Sequence, residues 1–473
     1  MSLESKHPAY SQKIEEWIIV RHSYEGENKI KEMGVKYLPP TAGMRLDGMT
    51  HGKEGYSAYL AYKDRARFPN YVTQKVEKNI GVLHYKPPTI KLPPQMEYLR
   101  ERATAEGESL ELLLRRVNEE QLLTGRVGIL ADNVSIEGAA PEPYLALYCA
   151  ESVTNWNQVE NDKGASLDFV VLAELKRIVD ENFNWDTKIK YRLLKMIDGS
   201  YHFGVFDDNY DPASMSQFLI LGTPSPEIPF VFINTKDLSA DPDRSPVIDL
   251  ANQCLSLYKS DADYRQALHL QGQDTLVVIG SRRKSIDEVE DSEIRVGTGS
   301  CIELDIGGDA KYVGISGAGL PEQRQAIEND TKMAEGMAGV VNFNSQGQKE
   351  SGEALTIRVA AQTASLQQIA TIGAAGLQKV LRIIAKLKGL DEQEVEVLPN
   401  TKFYIEEING RSIVDLMAAK TMGAPLSLES VHRIMKDRGL TSMDYESELG
   451  EIAGEEPLGV ESNPTQDSNP GQF

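Results

Sequence analysis

The stretch that decides the reading of this chain is residues 351–388, SGEALTIRVAAQTASLQQIATIGAAGLQKVLRIIAKLK. Leu355, Leu366, Ile369, Ile372, Val380, Ile384 and Leu387 keep helical spacing throughout, which predicts one helix of about 55 Å at ~1.5 Å per residue. Ala360, Ala361, Ala364, Ala370, Gly373, Ala374, Ala375 and Gly376 keep its surface slim. Two glycines inside a helix cost about 1 kcal/mol each against alanine, so they imply a closely packed neighbour or a bend. Lys379, Arg382, Lys386 and Lys388 gather at the C-terminal end, where cations complement the helix dipole.

Upstream, Ser245-Pro246 supplies an N-cap and a proline at the first helical position; Ile248, Ala251, Leu255, Tyr258, Ala262 and Leu268 then carry a helix to about residue 269. Leu276–Ile279 reads as a strand, residues 281–316 as turn-rich and strand-like, and Pro321 opens a second helix reaching about Val341. Two helices thus flank a small β insert, and a polar loop, residues 344–349, leads into the long helix. Before them come helical runs at Tyr10–Ser23, Tyr56–Tyr85 and Ser109–Thr124; in the last, Glu111, Arg115, Glu119 and Glu120 fall mostly opposite the leucines. Val127–Ala131, Tyr144–Tyr148, Phe169–Leu172, Tyr191–Ile197, Gln217–Leu221 and Phe230–Ile233 read as strands of a small antiparallel unit. After the long helix, Val395–Leu398 and Phe403–Ile408 read as strands, and Ser412–Met422, Ser427–Arg438 and Tyr445–Ala453 as short helices. The class is mixed α+β, mainly α.

With 50 Lys+Arg against 71 Asp+Glu among 473 residues, the net charge is -21, and a free subunit is repelled by phosphate backbones and anionic lipid surfaces. That argues against a general nucleic-acid binder. Part of the acidity is local: no Lys or Arg follows Arg438, and residues 454–473 read as a disordered acidic tail. Cys149, Cys254 and Cys301 are too widely spaced for a local metal clip, and an odd count with no secretory signal does not make a disulfide framework. The polar start and the lack of a long apolar run predict neither secretion nor a membrane span.

No catalytic constellation stands out. The seven histidines (His7, His22, His51, His84, His202, His269, His432) are scattered, without zinc spacing. The glycine runs at 297–300 and 314–319 lack the strand–loop–helix setting and following Lys-Ser/Thr that a phosphate loop needs, so they read as tight turns. Arg282-Arg283-Lys284, followed by Asp287, Glu288, Glu290, Asp291 and Glu293, reads either as a self-compensated solvated loop or as a docking loop for a partner. A chain of long helices with a β insert and no chemistry points to assembly.

The order of these parts resembles the portal proteins of tailed bacteriophages, in particular a portal-like phage group long catalogued as a domain of unknown function. The resemblance rests on the Ser351-Gly352-Glu353-Ala354-Leu355 start of the long helix and on short strings in a fixed order. These are Trp17, Gly26 and Tyr37-Leu38-Pro39; Tyr59, Arg65-Ala66-Arg67-Phe68 and Asn70; Lys86-Pro87-Pro88-Thr89-Ile90; and Gly125-Arg126-Val127-Gly128-Ile129-Leu130-Ala131-Asp132. Tyr144, Tyr148, Ala150-Glu151-Ser152-Val153, Asn155-Trp156, Ser245-Pro246, Leu250 and Tyr264-Arg265 continue the series, which spans most of residues 7–440.

The resemblance implies a portal fold: an N-terminal wing (1–245), a stem helix (246–270), a clip (271–316), a second stem helix (317–343) and a tunnel loop (344–350). The long wing helix and wing strands (351–411), a reduced crown (412–453) and the tail (454–473) complete it. It further implies a ring, typically of twelve subunits, at one capsid vertex, assembled in the host cytoplasm with major capsid and scaffolding proteins. Double-stranded DNA would be pumped through it by the terminase large subunit, retained, and later ejected through it, with head-completion adaptor and tail proteins as further partners, without sequence specificity and with no enzyme activity, cofactor or metal in this chain. Lys332, Asn344, Ser345, Gln346, Gly347, Gln348 and Lys349 would face the channel, and Arg282, Arg283 and Lys284 would dock terminase or adaptor. Ser351, Gly352, Ala354, Leu355, Gly373 and Gly376 would pack subunits together. The alternatives are a non-portal phage scaffold or adaptor, and a nucleotide-binding enzyme using the glycine turns.

Overall fold

A computed structural model describes residues 2–133, 142–161, 164–207, 210–220, 222–271, 275–281, 304–313, 319–339, 352–401, 403, 410–437 and 441–454. The chain divides into two units, Met1–Thr401 and Lys402–Phe473.

The first unit begins with five helices, α1 (Pro8–Glu25), α2 (Glu27–Met33), α3 (Ala42–Leu46), α4 (Glu54–Arg65) and α5 (Tyr71–Leu83). His7 Nδ1 accepts from the amide of Ala9 at 3.1 Å and Pro8 occupies the first turn, so α1 starts where its sequence dictates. The single helical run expected over Tyr56–Tyr85 is instead two helices. Pro69 has no amide to donate and its ring would strike the carbonyl four residues back, so α4 stops at that residue, Arg65, and Ala66 turns extended.

Strand β1 (Thr89–Lys91), helix α6 (Tyr98–Glu101) and helix α7 (Leu110–Leu123) follow, the last capped by Ser109 Oγ, which accepts from Leu112 at 3.2 Å. Gly125 closes α7 at φ +79°, with the Arg244 carbonyl 2.8 Å from where a Cβ would sit. Next come β2 (Arg126–Asn133), β3 (Pro143–Cys149), β4 (Val153–Asn161), β5 (Gly164–Val179), β6 (Trp185–Ile197), β7 (Ser200–Phe206), β8 (Ser216–Gln217), β9 (Leu219–Ile220), β10 (Thr223–Pro224) and β11 (Phe230–Asn234). Two antiparallel sheets result, one ordered β11-β2-β3 and the other β4-β5-β6-β7-β8. β4 and β7 were not anticipated, because the Thr154-Asn155-Trp156-Asn157-Gln158 run and Gly204 break the apolar alternation expected of a strand. The strand expected over Gln217–Leu221 is two short pieces around buried Phe218.

The three-stranded sheet is buried on both faces, which explains the unbroken apolar run Phe230–Ile233. Val127, Ile129, Val231 and Ile233 pack with Leu113, Leu114 and Val117 of α7, while Leu130, Phe230 and Phe232 join Trp17, Trp156, Val170 and Leu194 on the other side. A smaller cluster, Leu3, Val171, Leu193 and Phe206, covers part of the five-stranded sheet.

Helices α8 (Ile248–Gln271) and α9 (Leu320–Ala338) pack together and flank the antiparallel pair β12 (Thr275–Ser281) and β13 (Leu304–Val313). Gly339, left-handed at φ +70°, caps α9 after Ala338, three residues short of the Val341 expected from the sequence. Helix α10 (Gly352–Leu387) is the longest element, and its Leu377, Val380, Leu381 and Ile384 enter the core with α7 and the three-stranded sheet. Strand β14 (Glu396–Leu398) pairs with β1.

The second unit holds α11 (Gly410–Thr421), α12 (Leu428–Asp437) and α13 (Tyr445–Gly454). Ser427 Oγ caps α12 by accepting from Ser430 at 2.9 Å, and His432 meets the Tyr445 ring edge-on at 5.4 Å. Of the strand expected over Phe403–Ile408 only Phe403 is among the described residues, and the tail from residue 455 lies outside them.

Candidate functional site

The helix pair that carries the β insert is buried at one end and open at the other. Every buried residue of α8, from Ile248 to Ala262, lies in its first fifteen positions. In α9 the buried positions are Ala334 and Ala338 near the C-terminus, while residues 321–326 are exposed. Tyr258 is fully buried against Phe68, Gln253 Nε2 donates to the Asp330 carbonyl at 3.3 Å, and Tyr62 Oη donates to Asp263 at 2.6 Å. Lys75 Nζ donates to the Met337 carbonyl at 2.7 Å and Lys78 Nζ to the Gly339 carbonyl at 2.5 Å, so two ammonium groups of α5 meet the negative end of α9. The body of the first unit thus grips one end of the pair and leaves Leu268 and Leu270 of α8 in solvent.

Lys332 is exposed on α9. Arg282, Arg283, Lys284, the loop Asn344, Ser345, Gln346, Gly347, Gln348, Lys349, and Ser351 lie outside the described residues, as does most of both glycine runs. Gly352, Ala354 and Leu355 form the first turn of α10. Gly373 and Gly376 both have close neighbours inside the chain. A Cβ on Gly373 would sit 2.4 Å from Asn118 Nδ2, and one on Gly376 would sit 2.4 Å from Ile233 Cδ1. The slim surface of α10 serves its approach to α7 and β11, within one subunit.

Among the described residues, one group offers metal-type donors close together: Glu120, Cys149 and Glu151, within 4.8 Å of one another. Arg21 of α1 already fills it, donating to both Glu120 oxygens at 2.8 Å and to both Glu151 oxygens at 3.0 Å. Burial, reinforced by Glu120, pushes the Cys149 thiol up to about 12, so it stays protonated and is a poor ligand. The cluster is an ion-pair lock holding α1 to α7 and to the turn before β4. Glu120, expected on the polar face of α7, is buried here because Arg21 arrives from 99 residues away in sequence.

Arg126 is the second feature the sequence did not reveal. It is fully buried, with its guanidinium 4.1 Å from the ring centres of both Trp156 and Phe232, and burial lowers its pKa to about 9. His7 stacks on the far side of the sandwich, 4.0 Å from the Trp156 ring. His84 Nε2 lies 2.9 Å from Asn118 Oδ1, and His22 Nδ1 lies 2.8 Å from Tyr37 Oη. These histidines are packed structural groups.

Burial raises the phenols of Tyr37 and Tyr144 to about 12 and raises those of Tyr62, Tyr148 and Tyr201 further still. An acid whose folded pKa exceeds its unfolded value of ~10 contributes stability that is complete below pH ~10 and is lost as pH rises through the folded pKa. The buried thiols of Cys149 and Cys254, raised to about 12 and about 11, act in the same direction from pH ~9, and Arg126 acts in the opposite direction, as one group against several. Urea midpoints measured from pH 8 to 12 should fall above about pH 10; a rising midpoint there contradicts this.

Comparison with known proteins adds one family and two structures. A family model described as a domain of unknown function, DUF4055, matches residues 246–387, from the start of the helix pair to the end of α10. No curated protein matches the chain. A chain in the neck of a native GTA particle, computed with twelvefold symmetry, is 13% identical, with a TM-score of 0.35 over 77% of this chain and 89% of that one. A chain in the neck of an empty GTA particle, computed with sixfold symmetry, is 15% identical, with a TM-score of 0.40 over 78% and 90%. Among the described residues no helix is long and apolar enough to cross a membrane.

Proposed function

We propose that this chain is a structural subunit of a phage-type head-to-tail connector, and specifically a portal subunit of the virion. The observation that supports this most is the continuous series α8, β12–β13, α9 and α10: two helices gripped at one end by the body, a β hairpin between them, then a long helix returning to the core. The family match begins and ends with the same series. On this reading α8 and α9 are the stem, residues 271–316 the clip, and residues 344–350 the tunnel loop. The solvent-facing ends of α8 and α9 are covered by neighbouring stems in a ring of about twelve.

Arg282, Arg283 and Lys284 then belong to the clip surface that receives terminase or adaptor, and Lys332 faces the channel or a neighbouring subunit. The net charge of -21 suits such a conduit. Many cationic contacts would release counterions, hold DNA tightly and stall its passage. The chain carries no reaction on this reading, and the work of pumping belongs to a partner.

Mass photometry and negative-stain imaging of the purified full chain test the reading. A closed ring with a central channel, near twelve times the 52.4 kDa subunit mass, is the expected result. A stable monomer or dimer at micromolar concentration overturns it.

A further inference from the structure

The arm ahead of α1, residues 2–7, is laid against the five-stranded sheet at its β4 edge. The His7 amide donates to the Thr154 carbonyl of β4 at 3.0 Å, and Asn155 Nδ2 donates to the Ser5 carbonyl at 3.0 Å. Leu3 is buried with Val171, Leu193 and Phe206, so the arm supplies one wall of that small cluster. Residues 2, 4, 5 and 6 are exposed. An arm this short has few contacts to spare, and three of its junctions meet at His7.

The His7 amide binds β4, its Nδ1 accepts from the Ala9 amide at 3.1 Å and so caps α1, and its ring stacks on Trp156 at 4.0 Å with an interplanar angle of 20°. The cap requires one protonation state. A neutral imidazole with its proton on Nε2 offers the Nδ1 lone pair to Ala9, whereas an imidazolium carries a proton on both nitrogens and sets donor against donor. Protonation would also place a cation at the positive end of the α1 dipole. Helices are ordinarily capped by Ser, Thr, Asn or Asp; histidine is the residue whose charge changes between pH 5 and 8.

Two charged groups act on the ring from packed elements: Arg126 of β2, on the other side of the Trp156 ring, and Asp241 of the loop after β11. Burial holds the His7 imidazole below its usual 6.5; Asp241 opposes this and Arg126 adds to it. In a released arm the ring returns to ~6.5, so the released form takes up the proton more readily. The grip of the arm is therefore complete above pH ~7 and is lost as pH falls below ~6.5.

We infer that His7 is an acid-sensitive latch: its protonation uncaps α1, frees residues 2–7 from β4 and withdraws Leu3, baring Val171, Leu193 and Phe206. The latch is independent of the ring reading, since every contact it uses lies within one chain. Hydrogen exchange of the full chain at pH 7.5 and 5.0, read by mass spectrometry of peptic peptides and corrected for the intrinsic pH dependence of exchange, tests it. In the wild type, peptides covering residues 2–10 should exchange about fivefold or more faster at pH 5.0, the scale of a lost helix cap, while peptides from α7 stay protected. His7→Asn, which caps without titrating, should keep the arm protected at both pH values. His7→Ala, which cannot cap, should exchange fast at both.

Equal protection of the wild-type arm at the two pH values overturns the latch. So does opening of His7→Asn at pH 5.0 to the wild-type extent, which assigns the acid response to another group, such as His22 or His84, whose burial also lowers them. An arm already open in His7→Asn at pH 7.5 overturns it as well, because the stack on Trp156 and not the cap then holds the arm. Loss of protection in α7 together with the arm means that acid unfolds the unit as a whole, and it too overturns a local latch.

Discussion

Arg21→Met should destabilise the first unit by about 2–3 kcal/mol, read as a lower urea midpoint at pH 7. Removing one partner of a buried ion pair costs ~3–5 kcal/mol, because the remaining charge is stranded away from water; Arg21 keeps 23% of its side-chain surface exposed, which discounts that figure. Two carboxylates, Glu120 and Glu151, would face each other with no cation between them, beside a thiol that burial already keeps neutral. Methionine preserves much of the arginine's apolar stem, so the loss reports charge and hydrogen bonding more than packing. Adding Glu120→Gln should recover at least about 1 kcal/mol, the coupling expected of residues in direct contact. Equal stability of wild type and Arg21→Met, within about 0.5 kcal/mol, would show that the cluster is not a lock.

Gly373→Ala should also destabilise, by about 2–4 kcal/mol, although helix propensity alone favours alanine by about 1 kcal/mol. The added methyl would lie 2.4 Å from Asn118 Nδ2 and 2.7 Å from Gln121 Oε1. Neither side chain can simply step aside. Asn118 Nδ2 donates to Gln121 Oε1 at 2.8 Å, Asn118 Oδ1 meets His84, and Gln121 Nε2 donates to the Asn234 carbonyl at 2.6 Å. This buried polar chain ties α5, α7 and β11 together, and each amide displaced without a new partner costs about 1–3 kcal/mol, on top of the overpacking itself. Gly336→Ala on α9 is the control: nothing lies within 4 Å of its Cβ position, so it should be neutral or stabilising by up to about 1 kcal/mol. The prediction fails if Gly373→Ala is as stable as wild type while both variants fold.

The long helix and the helix pair were legible because each is a local pattern: apolar residues every three to four positions, with Ser245-Pro246 at one start and Pro321 at another. The Tyr56–Tyr85 run failed as a single helix because Pro69 acts on the carbonyl four residues earlier, an effect periodicity does not weigh. β4 escaped notice because it is an edge strand whose polar residues from Asn157 to Glu160 break the apolar alternation, and only its pairing with β5 from Val153↔Leu172 onward makes it a strand. The glycines of α10 were correctly read as demanding a close neighbour, but nothing in their spacing could say whether that neighbour was another subunit or the same chain's Asn118 and Ile233.

What the amino-acid sequence determined by itself was the set of elements that local chemistry writes: helix lengths, caps and breaks, the acidic balance, and the order of stem-like helices, β insert and long helix. What only the tertiary structure decided was which distant side chains meet. Arg21 finds Glu120 99 residues away, Arg126 slides between Trp156 and Phe232, and the apolar faces of β5 and β6 run out beyond the strands that cover them. The physical reason is range. Helix periodicity and capping act within about four residues, whereas burial, ion pairing and an uncovered face are properties of surfaces that come together only when the whole chain has folded.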